Sequence, residues 1–287
     1  MAPPVVVGVD GSEPALRAVD LAADEAALRG APLRLVHACL WERYEGSALA
    51  RDHAGPGGTV TAEDVLRTAE RRAALRRPGV EISVDVLPEE PEHALVREGR
   101  EAALLVLGTR GRGGLAELLL GSVSLTVAAR AGCPVIVVRG ERAVSDGPGR
   151  VVVGIGDRGP DSAALDFAVR EARLRHATLD AVRAWRCPAR ESTDHPLLAG
   201  EPARLHEQHA SEVLDQSLKD MPEDLTLTRH TAEGPARTVL LTASHGADLL
   251  VVGAHRHPGH LGLQLGRVAH TALHHAACAV AVVPEPA

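Results

Sequence analysis

The residues best arranged for chemistry form one glycine-rich stretch, Gly108-Thr109-Arg110-Gly111-Arg112-Gly113-Gly114, followed by Leu120-Gly121-Ser122-Val123-Ser124. It begins where an apolar run, Leu104–Leu107, ends. Glycine lets backbone approach a ligand closely. A helix starting at Gly121-Ser122 turns free N–H groups and a positive dipole end toward any anion. Ser122 and Ser124 add hydroxyls, and Arg110 and Arg112 add positive charge. The chemistry predicted is phosphate binding.

Three phosphate patterns compete for this stretch. A Walker A loop needs a lysine before its Ser/Thr, and none stands here. Gly111, Gly113 and Ala116 match GxGxxA, but no acidic residue follows about 20 positions on, where a dinucleotide fold needs one. The third, G-x2-G-x9-G-[ST], is met at every position by Gly108, Gly111, Gly121 and Ser122.

The elements that must position this loop recur. Residues 104–138 and 249–283 align at an offset of 145 with 15 identities in 35 pairs, among them Gly108/Gly253, Gly121/Gly266 and Cys133/Cys278. That density marks a duplication. Val5-Val6-Val7-Gly8 recurs as Val151-Val152-Val153-Gly154, at an offset of 146, and Asp20, Glu25 and Arg29 recur as Asp166, Glu171 and Arg175. A period of this length is domain-sized, so two domains are expected, 1–140 and 150–287, joined by a linker at 140–149. Within the first copy, apolar runs at Val5–Val9, Leu33–Cys39, Val80–Leu87, Leu104–Leu107 and Val135–Val138 predict strands. Helices are predicted after Ser12, near 61–77, from Pro91 to about 100, and from about Gly121. Continuous β-branched runs alternating with helices predict an α/β fold, a parallel sheet covered on both faces. Ligands of such sheets bind at the carboxyl ends of the strands.

Composition narrows the functions. The 287 residues hold only two Trp, one Tyr and one Phe, and 31 Lys and Arg stand against 38 Asp and Glu. Neither aromatic platforms nor a basic excess is there to bind nucleic acid. No apolar run is long enough to span a bilayer, and Met1-Ala2-Pro3-Pro4 opens no secretion signal, so a cytoplasmic protein is expected. Cys39, Cys133, Cys187 and Cys278 form no CxxC pair and are expected to be reduced. Of the 15 histidines, His255, His257 and His260, the pair His206 and His209, and the cluster His270, His274 and His275 lack completing ligands, so no metal site is expected. Trp41 and Trp185 follow the second strand of each copy and are expected as packing lids.

With its opening Val-Gly-Val-Asp-Gly-Ser (7–12), Leu-Val-His-Ala (35–38), Gly-Ser-Val-Ser (121–124) and Cys-Pro-Val-Ile-Val-Val (133–138), the chain resembles a tandem universal stress protein of the ATP-binding subfamily, actinobacterial in type. The resemblance implies five-stranded parallel sheets of order 3-2-1-4-5, an adenine nucleotide alpha hydrolase-like fold. It implies ATP, with or without Mg²⁺, as ligand. It puts Asp10 near adenine and ribose, the backbone of Ala38 on adenine, Gly108 and Gly111 along ribose and phosphates with Arg110 between them, and Gly121, Ser122, Val123 and Ser124 on the phosphates. It also implies a dimer, or the equivalent pair formed within one chain.

The second copy departs from the motif. Asp10 becomes Gly156 with Asp157 displaced by one, Gly111 becomes Arg256, Ser122 becomes Arg267, and Pro258 removes a donor. Nucleotide is expected in the first copy alone. No Ser/His/Asp or Cys/His set falls on one crevice edge, and Asp10 is the one strand-end carboxylate of the first copy. A regulatory or stress-response protein is therefore expected, with at most slow ATP hydrolysis or autophosphorylation on Ser122 or Ser124. The competing class is an adenine-nucleotide hydrolase or nucleotidyltransferase of the related fold, which wants an SGGxDS loop or paired histidines near the first strand. A scaffold binding no nucleotide is the third.

Overall fold

The computed structural model describes residues 2–40, 61–109, 120–139, 149–157, 162–187, 201–255 and 265–285. The chain divides into two compact units, Met1–Val138 and Arg139–Ala287. The 140–148 stretch, Trp41 and the glycine-rich loop from Arg110 to Leu119 lie outside the described residues.

In the first unit the strands are β1 (Val5–Gly8), β2 (Leu33–Ala38), β3 (Ile82–Leu87), β4 (Leu104–Gly108) and β5 (Val135–Val138), and the helices are α1 (Glu13–Arg29), α2 (Ala62–Arg76), α3 (Pro91–Glu98) and α4 (Ser122–Arg130). The sheet order is β3-β2-β1-β4-β5, every pairing parallel. Every residue of β4 is buried, as a strand covered on both faces requires. Helices α1 and α2 pack on each other, as do α3 and α4. The core is Val, Leu, Ile and Ala, with Val5, Val7, Leu33, Leu35, Leu104, Leu105 and Ile136 fully buried. Each such side chain contributes about 1.5–3 kcal/mol, so four aromatics in the chain suffice.

The second unit repeats the plan with β6 (Arg150–Gly154), β7 (Thr178–Trp185), β8 (Leu227–Glu233), β9 (Leu249–His255) and β10 (Ala279–Glu285), and with α5 (Ala163–Leu174), α6 (Glu201–Ser217), α7 (Ala236–Ser244) and α8 (Arg267–His275). Its order is β8-β7-β6-β9-β10, again parallel. Both units thus have the 3-2-1-4-5 order. Trp185 closes β7 rather than following it. No described helix is long and apolar enough to cross a membrane.

The two copies keep some polar contacts and invert others. Glu25 and Glu171 are both fully buried and pair with Arg29 and Arg175 one helical turn on. On β2, Arg34 pairs with Asp85 of β3 at 2.8 Å and with Glu98 at 2.9 Å. The matching residue of β7 is Asp180, buried, and it accepts from Arg150, from Thr228 at 2.9 Å and from His230 at 3.2 Å. His230 occupies the register position of Asp85. The acidic residue thus stands on the second strand in one copy and on the third in the other.

Candidate functional site

The first unit brings three strand ends and one helix start together. After β1, the Val9 N–H donates to the Val36 carbonyl at 2.9 Å, holding the chain beside β2. The Val9 carbonyl faces Nδ1 of His37 at 2.8 Å. A carbonyl only accepts, so Nδ1 carries the proton. The chain then turns at Asp10 and Gly11, whose φ is +80°. The Asp10 carboxylate accepts from the Ser12 N–H at 3.0 Å and the Ser12 hydroxyl at 2.6 Å. Ser12 Oγ accepts in turn from the Ala15 N–H at 3.3 Å and caps α1. Asp10 therefore builds the turn that starts α1, and its half-buried carboxylate stays at the end of β1.

Ala38 ends β2, half-buried, next to β1. On the other side of β1, β4 ends in buried Gly108. A Cβ there would lie 2.6 Å from the Pro14 carbonyl carbon and 2.7 Å from its oxygen. Close packing of α1 on the strand end thus demands glycine, whatever ligand is bound. The Gly108 carbonyl accepts from the buried Ser124 hydroxyl at 2.7 Å, which fastens the first turn of α4 to the end of β4. The Gly121 N–H donates to the Thr109 carbonyl at 2.7 Å and joins the two ends of the glycine-rich segment. Arg110 and Gly111 lie between those ends, outside the described residues.

Helix α4 begins with Gly121 as N-cap and has no side-chain cap and no acidic residue in its own first turn. Its first N–H groups, at Ser122, Val123 and Ser124, carry the positive end of the dipole. The arrangement suits an anion, with Asp10 and Ala38 on neighbouring strand ends. One carboxylate adjoins it: the Ser122 hydroxyl donates to Glu92 Oε1, in the first turn of α3, at 3.3 Å. The sequence reading missed Glu92 because it lies 30 residues away on another helix. It missed His37 as well, although the His of Leu-Val-His-Ala (35–38) reaches the end of β1 from β2.

The matching edge of the second unit is filled differently. The Ile155 N–H donates to Val182, as Val9 does to Val36. At the place of His37 stands Arg183, only 8% exposed. Its guanidinium donates to the carbonyls of Ile155 at 3.4 Å and Gly156 at 2.7 Å and to the Asp157 carboxylate at 2.7 Å. Its Nε is buried without a hydrogen-bond partner. Gly253 stands at the place of Gly108, but a Cβ there would meet Glu285 Oε1 at 2.8 Å rather than helix backbone. The Glu285 carboxylate, 4% exposed, accepts from Ser162 Oγ at 2.8 Å and from the N–H groups of Ala163 at 3.0 Å and Ala164 at 3.1 Å. It caps the start of α5 from the end of β10. Helix α8 starts at Gly266 without a side-chain cap, and Arg267 stands there for Ser122.

Among the described residues the histidines form no ligand set. Among the described residues no three His, Cys, Asp or Glu converge for a metal ion. His255 (its side chain), His257 and His260 lie outside the described part. On α8 the rings of His270 and His274 are 4.5 Å apart. Desolvation, then the neighbouring His270, His275 and Arg139, hold His274 below the ordinary imidazole value. Burial pushes the Cys278 thiol up to about 12, so it is no nucleophile, and none of the four cysteines is in a disulfide.

The fold has known counterparts. The universal stress protein family model matches residues 1–139 and again 148–284. A universal stress protein of Mycobacterium tuberculosis is 32% identical over 304 residues, covering 98% of this chain and 97% of its own length. A second from the same organism is 30% identical over 295 residues, covering 98% and 96%. The crystal structure of a universal stress protein from Archaeoglobus fulgidus superposes with a TM-score of 0.68 at 16% identity, covering all of both chains. The chain belongs to the universal stress protein family, as two tandem domains.

Proposed function

We propose that the first unit binds ATP at the carboxyl ends of β1, β2 and β4, and that the protein acts by nucleotide occupancy rather than by rapid catalysis. The observation that carries this reading is the start of α4. Its first turn has no side-chain cap, and it is tied to the end of β4 through Ser124 and through the Gly121 N–H to Thr109. In this reading Gly121, Ser122, Val123 and Ser124 offer N–H groups to the phosphates, and Arg110 and Gly111 line the segment between. Asp10 and Ala38 flank the base and ribose. Asp10 and Ser124 already serve the turn and the strand end, so the site is rigid before ligand arrives. The surface changed by bound ATP is then the signal. The second unit takes no ATP in this manner, because Arg183 covers the end of β6 and Arg267 replaces Ser122.

Nucleotide released on denaturing freshly purified protein tests the reading, measured beside Gly121→Arg. One ATP per chain in the wild type and none in the variant is the expected result. Equal ATP in both proteins would move the site elsewhere, and two per chain would refute the asymmetry. ATP turnover on the order of 1 per second or faster would place the protein among ordinary enzymes instead.

A further inference from the structure

Hydrogen bonding at the end of β2 departs from its own pattern. On the β3 side, the Leu33 N–H donates to the Glu81 carbonyl at 2.8 Å and the Cys39 N–H to the Leu87 carbonyl at 3.0 Å. The alternate residues, Arg34, Val36 and Ala38, therefore turn both N–H and C=O toward β1. Val9 donates to the Val36 carbonyl at 2.9 Å, so the next rung of a parallel ladder would run from the Ala38 N–H to the Val9 carbonyl. Among the described residues that rung is not made. The Val9 carbonyl faces the His37 ring at 2.8 Å instead, and the chain turns away from β2 at Asp10 and Gly11. A side chain has taken the place of a backbone donor. Half-buried Ala38 is left with an N–H and a C=O on the side where β1 no longer runs. The second unit makes the same exchange with another residue. Ile155 donates to the Val182 carbonyl at 2.9 Å, and the rung from Ala184 to Ile155 is likewise not made among the described residues. Arg183 donates to the carbonyls of Ile155 at 3.4 Å and Gly156 at 2.7 Å. Histidine and arginine share little but a side-chain donor, so the position itself is used to occupy the carbonyl after the first strand. They differ in reach. Arginine extends across the strand end to Asp157, and the imidazole stops at Val9.

We infer that His37 is a positioning residue for the nucleobase: by occupying the Val9 carbonyl, it keeps the N–H and C=O of Ala38 open as a donor–acceptor pair at the end of β2. The inference rests on the reading that this unit binds ATP. The pair complements the edge of adenine, whose N1 accepts and whose exocyclic amine donates. Hypoxanthine presents the reverse, an N–H at N1 and a carbonyl beside it, so donor would meet donor and acceptor would meet acceptor. Without the imidazole N–H, the Val9 carbonyl lacks a partner and takes the Ala38 N–H. The ladder then gains a rung, and the protein itself uses the donor that the base needs.

The test compares nucleotide-free, full-length wild type with His37→Leu and His37→Asn. Asparagine keeps an N–H near the place of Nδ1, and leucine has none. Affinities for ATP and for inosine triphosphate are measured beside amide hydrogen exchange at Ala38. Without nucleotide, the Ala38 amide is expected to exchange fast in wild type and His37→Asn and slowly in His37→Leu, where the rung closes. His37→Leu is expected to bind ATP roughly three- to tenfold more weakly than wild type, the scale of one hydrogen bond. His37→Asn should bind ATP nearly as wild type does. Inosine triphosphate should bind weakly to all three and change little among them. His37→Leu binding ATP as well as wild type, or His37→Asn binding it as weakly as His37→Leu, would overturn the role of His37 while leaving ATP binding intact. Equal weakening of both nucleotides in His37→Leu, with a lowered melting temperature, would make the residue merely structural and overturn it too. Failure of wild type to bind either nucleotide would overturn the binding reading and this inference together.

Discussion

Two glycines at matching strand ends, Gly108 and Gly253, meet quite different neighbours. Gly108 lies against the backbone of Pro14, so α1 rests directly on β4. Gly253 lies against the Glu285 carboxylate, which reaches in from β10 and caps α5. Beside them the contrast repeats. His37 offers one ring N–H to the end of β1, and Arg183 wraps the end of β6 with a buried guanidinium. The first copy leaves its strand ends held by backbone and small polar groups. The second spends charged side chains of its own on the same places. One fold can therefore leave its strand ends to small groups or cover them with large charged side chains while the strand order stays the same.

The largest effect expected from breaking this contrast is at Glu285. Glu285→Ala removes three hydrogen bonds to a buried carboxylate and strands the first N–H groups of α5. Amide hydrogen exchange in α5 should show its opening free energy fall by about 3 kcal/mol, with α1 unaffected. The next is at the glycines. Gly108→Ala forces a methyl into the Pro14 backbone and should cost about 1–3 kcal/mol, read as faster exchange in β4 and α1. Gly253→Ala sets a methyl 2.8 Å from Glu285 Oε1 and 3.1 Å from its Cγ, so its effect should be read in α5, which that carboxylate caps. The same exchange pattern in both variants would erase the distinction between the two strand ends.

The smallest effect is on pH dependence. His274 lies below the ordinary value of 6.5, chiefly through desolvation and then through His270, His275 and Arg139. The unfolded chain therefore binds this proton more readily than the fold does. Stability should be full above the ordinary value, fall as the pH drops through it, and level off below the folded value. His274→Gln should remove that part of the acid sensitivity. Denaturation midpoints of the two proteins between about pH 7 and 5 give the check, and parallel curves would refute it.

Sequence alone made the architecture legible, because Val5–Gly8, Leu104–Gly108 and Val135–Val138 are continuous apolar runs and the duplication states them twice. The helix starts were legible through Ser12 and Gly121. What stayed hidden was the work of single side chains across long separations. Nothing near Glu285 signals that a carboxylate after Pro284 turns back to cap a helix 120 residues earlier. Glu92 reads as one charge among many until α3 packs on α4. Gly108 was legible as a glycine that must be glycine, but the spacing pointed to a ligand while the backbone of Pro14 already requires it. Arg183 could have been found, since an offset of 146 lays it on His37.

The exchange of Arg34–Asp85 for Asp180–His230 bears on how such a chain sorts itself while folding. Two nearly interchangeable sheets are tethered together, and a strand from one copy could nucleate on the other. If β2 paired with β8, Arg34 would face His230 in place of a carboxylate. If β7 paired with β3, Asp180 would lie beside Asp85. The first swap takes from Arg34 one of its two carboxylates and the second brings two carboxylates together, so a duplicated gene product can tell its own halves apart.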